Sequence, residues 1–328
     1  MATKSFSRQS SVSDQLITFK DVLNPRSDFD QLERLILSNL DEKEKICLKD
    51  FKKYIVKGEG VWVLDQQILD FVAGLLEHRS LNLDIRVKLL RLLAAAALRD
   101  DFWSFLQMDR KNRTLMRFPN LFENLTVEEQ KGVALFLVNT FSTPQGADWL
   151  MYGSTWKLDE ETETSNVKIT AKVAGYSLVS YTPSLQEYGS ALIYNIALKE
   201  TKALSVPKNK YTEEDLPTVD LDYGTVSNQD IMETRESTQF VTLKVYNDVA
   251  VELSMATLKY IKKTKNPPEE VLYRCMKSLV KFSYIIPNDI LHCVAMVQVD
   301  LDTLIPGNSA RIDAEMKMLK AKLIKSTE

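Results

Sequence analysis

Two arginines stand where a cation is least expected. Arg91 lies in the run Lys88-Leu89-Leu90-Arg91-Leu92-Leu93, and Arg274 lies in Val271-Leu272-Tyr273-Arg274-Cys275-Met276, with Lys277 one turn further on. A guanidinium in such apolar company must be paired, because a stranded buried charge is strongly destabilising. Two arrangements meet that need. One is an internal ion pair with an Asp or Glu. The other is a concave groove in which the planar forks of both arginines receive the carboxylates of an anionic ligand. Two asparagines raise a parallel question, in Leu137-Val138-Asn139-Thr140-Phe141 and Ile193-Tyr194-Asn195-Ile196-Ala197. A buried carboxamide requires hydrogen-bond partners. It finds them either at the end of a neighbouring helix or, on the inner face of stacked helices, along the backbone of an extended peptide.

Catalytic constellations are missing from the sequence. His78 and His292 are far apart, and no cysteine is spaced to form a nucleophilic pair with either. Cys47, Cys275 and Cys293 are odd in number and widely spaced, so neither a disulfide framework nor a zinc site can be built from them. Cys275 and Cys293 fall in apolar helical runs, where a thiol serves as a small hydrophobe. There is no Gly-rich phosphate loop, no HExxH and no GxSxG. The expectation is a non-enzymatic protein without cofactor or metal.

These side chains must be positioned by helices. Ten glycines and ten prolines in 328 residues are too few for many short strands. Apolar residues recur with helical period at Phe29, Leu32, Leu35 and Ile36 and again at Leu48, Phe51 and Ile55. Further helices are predicted over 61–77, 84–98, 145–151, 185–199, 240–262, 269–284, 289–297 and 309–324. Thr126 and Glu129 form a capping-box pattern ahead of the apolar run 132–141. The stretch 167–179 reads ambiguously, because 168–173 alternates like a strand. Segment 159–166 reads as an acidic, Thr-rich loop. Residues 205–237 carry Pro207, Pro217 and scattered acids and read as a disordered insertion; residues 1–14 read as a disordered tail. Trp62, Phe71, Phe102, Trp103, Phe105 and Trp149 are assigned to the core, and Trp156 to the surface.

Helix pairs recurring about every 40–50 residues match the length of HEAT or armadillo units, which predicts an all-α helical solenoid. A net charge of −3 with 27% charged residues excludes a bulk electrostatic pull towards nucleic acid or anionic membrane. No apolar run spans a bilayer and no signal peptide opens the chain, so a cytoplasmic or nuclear location is expected.

The chain from about residue 16 onward resembles the PUL domain family, the C-terminal armadillo-like domain of phospholipase A-2-activating protein and its yeast ubiquitin-pathway relatives. The opening Leu16-Ile17-Thr18-Phe19-Lys20-Asp21-Val22-Leu23-Asn24-Pro25 is similar to the family's first segment. Residues 85–93 resemble its "ALDILRL" helix, with Arg91 on the arginine. Asn139, Phe141, Gly146, Leu150 and Met151 match its "N-F, short loop, G, L-M" element. Residues 191–198 resemble "TLxLNYS", with Asn195 on the asparagine, and 269–282 resemble the helix that carries a further arginine, with Arg274 on it. Two positions depart from the pattern: Leu135 stands for a family arginine and Val280 for a glycine.

The resemblance implies a single armadillo-like domain over 15–328. It also implies an adaptor that binds the acidic C-terminal tail of valosin-containing protein, an AAA+ unfoldase, in ubiquitin-dependent protein turnover. Arg91 and Arg274 are then tail contacts, with Lys88, Lys277, Asn139 and Asn195 beside them. Direct ubiquitin binding is not implied. The alternative is a generic armadillo-type scaffold for another acidic peptide.

Overall fold

The computed structural model describes residues 14–78, 82–109, 113–205, 228–300 and 309–325, leaving aside the side chains of 200–243 and 325. The architecture is all-α. Among the described residues the helices are α1 Pro25–Ile36, α2 Glu42–Ile55, α3 Gln66–Glu77, α4 Leu83–Ala96, α5 Trp103–Met108, α6 Thr114–Asn120 and α7 Val127–Thr140. They continue with α8 Pro144–Leu150, α9 Asn166–Val179, α10 Pro183–Ser205, α11 Asn228–Lys263, α12 Glu269–Phe282, α13 Pro287–Val297 and α14 Ala310–Lys325.

Most starts are written in the local sequence. Asp41 and Glu44 close a full capping box on α2, and Thr126 and Glu129 close the predicted one on α7. Pro25, Pro144 and Pro287 occupy first-turn positions, where their missing N–H costs nothing. The helix predicted over 61–77 divides in two. Val61–Val63 forms a 3-10 turn, and Asp65 then accepts the Ile68 N–H at 3.0 Å, which starts α3 afresh.

The helices pack in two series. In one, α1 lies on α4, α4 on α7, α7 on α10, and α10 on α12. In the other, α3 lies on α6, α6 on α9, α9 on α11, and α11 on α13. Close approach at Gly132 sets the α4–α7 distance, since a Cβ there would come within 2.8 Å of the Leu90 Cβ. The core is one continuous cluster running from Phe29 in α1 to Leu323 in α14.

Several expectations are corrected. The ambiguous stretch 167–179 is helical: Ser165 caps α9, and all but a few of its residues are buried, so its apparent alternation lies within a helix packed on several sides. The acidic loop includes Glu163–Thr164, paired antiparallel with Trp156–Lys157 in a small hairpin. That pairing buries Trp156, whose indole N–H donates to Asn166 Oδ1 at 3.1 Å, so its assignment to the surface was wrong. Trp62, assigned to the core, is 79% exposed on its turn. Of the insertion expected at 205–237, residues 228–237 fall within α11 and residues 206–227 lie outside the described residues. Of the tail expected at 1–14, Asp14 is placed by ion pairs, and residues 1–13 lie outside the described residues. Among the described residues no helix is long and apolar enough to cross a membrane.

Candidate peptide-binding site

The first packing series brings the six singled-out side chains onto α4, α7, α10 and α12. What meets them there is the chain's own beginning. Residues 14–20 run without helix or turn, and this strap crosses the helices in the order opposite to their sequence.

Asn195 on α10 takes the strap at Ile17. Its Oδ1 accepts the Ile17 N–H at 2.8 Å, and its Nδ2 donates to the Ile17 carbonyl at 2.8 Å. Asn139 on α7 repeats the grip two residues later, accepting the Phe19 N–H at 2.7 Å and donating to the Phe19 carbonyl at 3.1 Å. Its Nδ2 also donates to the Ala94 carbonyl at 3.1 Å, near the end of α4. Asn139 thus holds an extended segment of its own chain and satisfies a carbonyl of a neighbouring helix. The spacing of two follows from strand geometry, in which every second residue turns its N–H and C=O to the same side.

The cations occupy the two ends. At the α4 end, Asp28 in the first turn of α1 is buried and serves two partners, Arg91 Nε at 2.9 Å and Lys88 Nζ at 3.2 Å. Arg91 also donates to the Val22 carbonyl at 2.8 Å. Its internal-pair alternative is the one the geometry displays, and Lys88 shares it.

At the α12 end, Lys277 binds Glu315 of α14 at 2.7 Å and lies 3.6 Å from Asp14, while Lys281 holds Asp14 at 2.9 Å. Burial acts against the Lys277 charge, but Glu315 and Asp14 outweigh it and hold the ammonium above the usual lysine range. Burial alone would raise the Asp14 carboxyl; the hydrogen bond from Lys281 and the charges of both lysines overrule it and leave it below the usual range.

Arg274 differs from all of these. It is 7% exposed, yet among the described residues its one hydrogen bond runs from Nη1 to the Glu187 carbonyl at a long 3.4 Å. Its Nε comes within 3.3 Å of Glu270 Oε1 without hydrogen-bond alignment and has no bonded partner. Glu270 is half-exposed and also engages Arg311 at 2.6 Å. The guanidinium stands 5.8 Å from the centre of the Phe19 ring, which in turn meets Tyr188 edge-on at 4.9 Å. A buried arginine with spare donors, beside an extended backbone, is equipped to receive a carboxylate.

Sequence reasoning missed Asp28, Asp14, Glu315, Phe19 and Tyr188 as parts of this arrangement. Asp28 had a signal, as an acid close after Pro25 in the first turn of a predicted helix, but nothing local pointed to its partner on α4. Elsewhere, burial pushes the Cys275 thiol up to about 12, as fits a packing residue. Leu135, at the position of the family arginine, is buried.

No family model matches the chain, and no curated relative does. Two solved structures, both described as crystal structures of an engineered protein, align over most of the chain. One shows 12% identity over 91% of this chain and 99% of its own, with a TM-score of 0.49. The other shows 15% identity over 90% of this chain and 78% of its own, with a TM-score of 0.27.

Proposed function

We propose that this chain is a non-enzymatic, armadillo-like adaptor of the cytoplasm or nucleus whose inner helix face binds an extended acidic peptide. The observation that carries the reading is Arg274: a nearly buried guanidinium with an unbonded Nε, set next to a backbone already gripped by an asparagine ladder. A helical face that holds an extended chain through side-chain amides has the means to recognise peptides. The PUL resemblance names the ligand as the acidic C-terminal tail of valosin-containing protein, in ubiquitin-dependent turnover. Arg274 is the principal tail contact. Arg91 and Lys88, engaged with Asp28, are secondary.

A fluorescent peptide of that tail, titrated against the full chain, tests the reading. Wild type should bind saturably in the micromolar range, and Arg274→Ala should weaken binding at least about tenfold, or ~1.4 kcal/mol, while keeping its helical circular dichroism. Absence of saturable binding removes the unfoldase tail as the ligand. The second reading, a scaffold for a different acidic peptide, is favoured by Leu135, which leaves the groove one cation poorer than the family pattern.

A further inference from the structure

The asparagine ladder uses only one edge of the strap. Ile17 and Phe19 spend both backbone groups on Asn195 and Asn139. In an extended chain the alternate residues turn theirs to the opposite edge. Those residues are Leu16, Thr18 and Lys20. Among the described residues, the N–H and C=O of Leu16 and of Thr18 and the N–H of Lys20 have no hydrogen-bond partner; the Lys20 carbonyl accepts from Leu23 N–H. Thr18 and Lys20 are exposed, while Ile17 and Phe19 pack against the core. The strap is therefore a fixed strand with an open edge.

Resting on the peptide-binding reading, we infer that this open edge is the docking surface, and that the ligand joins it as an added β-strand. An unpaired edge in water is a template for another extended chain, which gains backbone hydrogen bonds whatever its sequence. Two features select the occupant. The strap is immobilised at three points, through Asp14, Ile17 and Phe19, so a second strand does not bear the cost of ordering it. Beside it Arg274, lying over the Phe19 ring and ion-paired only with the half-exposed Glu270 among the described residues, has donors to spare, and Lys20 is exposed next to exposed Asp21. The occupant is thus an extended segment of another protein with carboxylates along its length. It pairs with Thr18 and sends one carboxylate to Arg274. The strap stays in place and forms one side of the site.

The test uses the full chain and a fluorescent alternating Glu-Val peptide of about ten residues, long enough for one strand. Thr18→Pro deletes the outward N–H and asks of Ile17 only the extended conformation it already has. Thr18→Ala keeps the N–H. Wild type and Thr18→Ala should bind alike, and Thr18→Pro at least tenfold more weakly at an unchanged unfolding midpoint. Against wild type, peptides N-methylated on alternate residues should bind in one register and fail in the other. The N-methylated pair carries the test alone if Thr18→Pro does not fold.

Equal binding by both registers, or by Thr18→Pro and wild type, overturns the added strand. The tail peptide separates this failure from that of the preceding reading. Tail binding that needs Arg274 but ignores Thr18 leaves the adaptor standing and removes the edge. Glu-Val binding that needs Thr18, with no tail binding, keeps the edge and removes the named partner. No binding of either peptide removes both.

Discussion

Arg91 and Arg274 occupy matching settings, one cation inside an apolar helix at each end of the same strap, and they end in opposite states. Arg91 is paired: a buried carboxylate at 2.9 Å and a carbonyl at 2.8 Å take two of its donors. Arg274 is more deeply buried yet has a carbonyl at 3.4 Å and a half-exposed acid it must share with Arg311. The difference comes from what the neighbouring helix supplies. At one end α1 delivers Asp28 into the interior. At the other, Glu270 stands on the rim, and Asp14 and Glu315 are claimed by lysines. Depth of burial therefore does not report whether a charge is spoken for, and the partner inventory does.

The contrast can be broken, beginning with the strongest link. Asn139→Leu removes the grip on Phe19 and the bond to Ala94 together and should cost about 3 kcal/mol, while Asn195→Leu, which serves the strap alone, should cost about 2. Urea midpoints would rank them, and equal losses would mean that the Ala94 bond contributes nothing.

Next in size, Asp28→Asn leaves Arg91 and Lys88 without their shared anion, a loss of about 2 kcal/mol in chemical denaturation. The same change should tighten binding of an acidic peptide several-fold by freeing a second guanidinium. Unchanged affinity would place Arg91 off the ligand's path.

The counterpart at the other end, Glu270→Gln, should alter stability by less than about 0.5 kcal/mol, because its pair is half-exposed. A loss above about 2 kcal/mol would make Glu270 the true counter-charge of Arg274 and end the contrast.

The smallest effect is a pH dependence. The Asp14 carboxyl is depressed in the folded state, so its contribution is present above its unfolded value near 3.8 and disappears as pH falls through the lower folded value. Amide exchange at Ile17 should accelerate relative to Phe19 over that acid range, and Asp14→Asn should abolish the difference. A wild-type profile that Asp14→Asn leaves unchanged would show that the clamp is carried by Asn195 alone.

Much of this arrangement was legible in the chain. Helix periodicity, the Thr126–Glu129 box and the misplaced polarity of Asn139, Asn195, Arg91 and Arg274 are local signals, and each pointed to a real constraint. What escaped was pairing across distance. The Phe19–Asn139 contact joins residues 120 apart and Ile17–Asn195 joins residues 178 apart, and neither leaves a mark in its own neighbourhood. For the same reason nothing near the asparagines in sequence shows that their partner is the chain's own residues 17 and 19. Trp62 and Trp156 exchanged places because one lies on a short 3-10 turn and the other on a two-residue hairpin strand, elements too short to leave a periodic signal.

The long reach of the strap has a consequence for biosynthesis. Ile17 leaves the ribosome 178 residues ahead of the asparagine that will hold it. At a synthesis rate of about 5–20 residues per second, that is roughly 10–35 s of waiting. Throughout it Ile17 is an apolar side chain on a nascent chain without its final partner. Until α10 and α12 have emerged and packed, the strap stays unsecured, and it is open to capture by chaperones during translation.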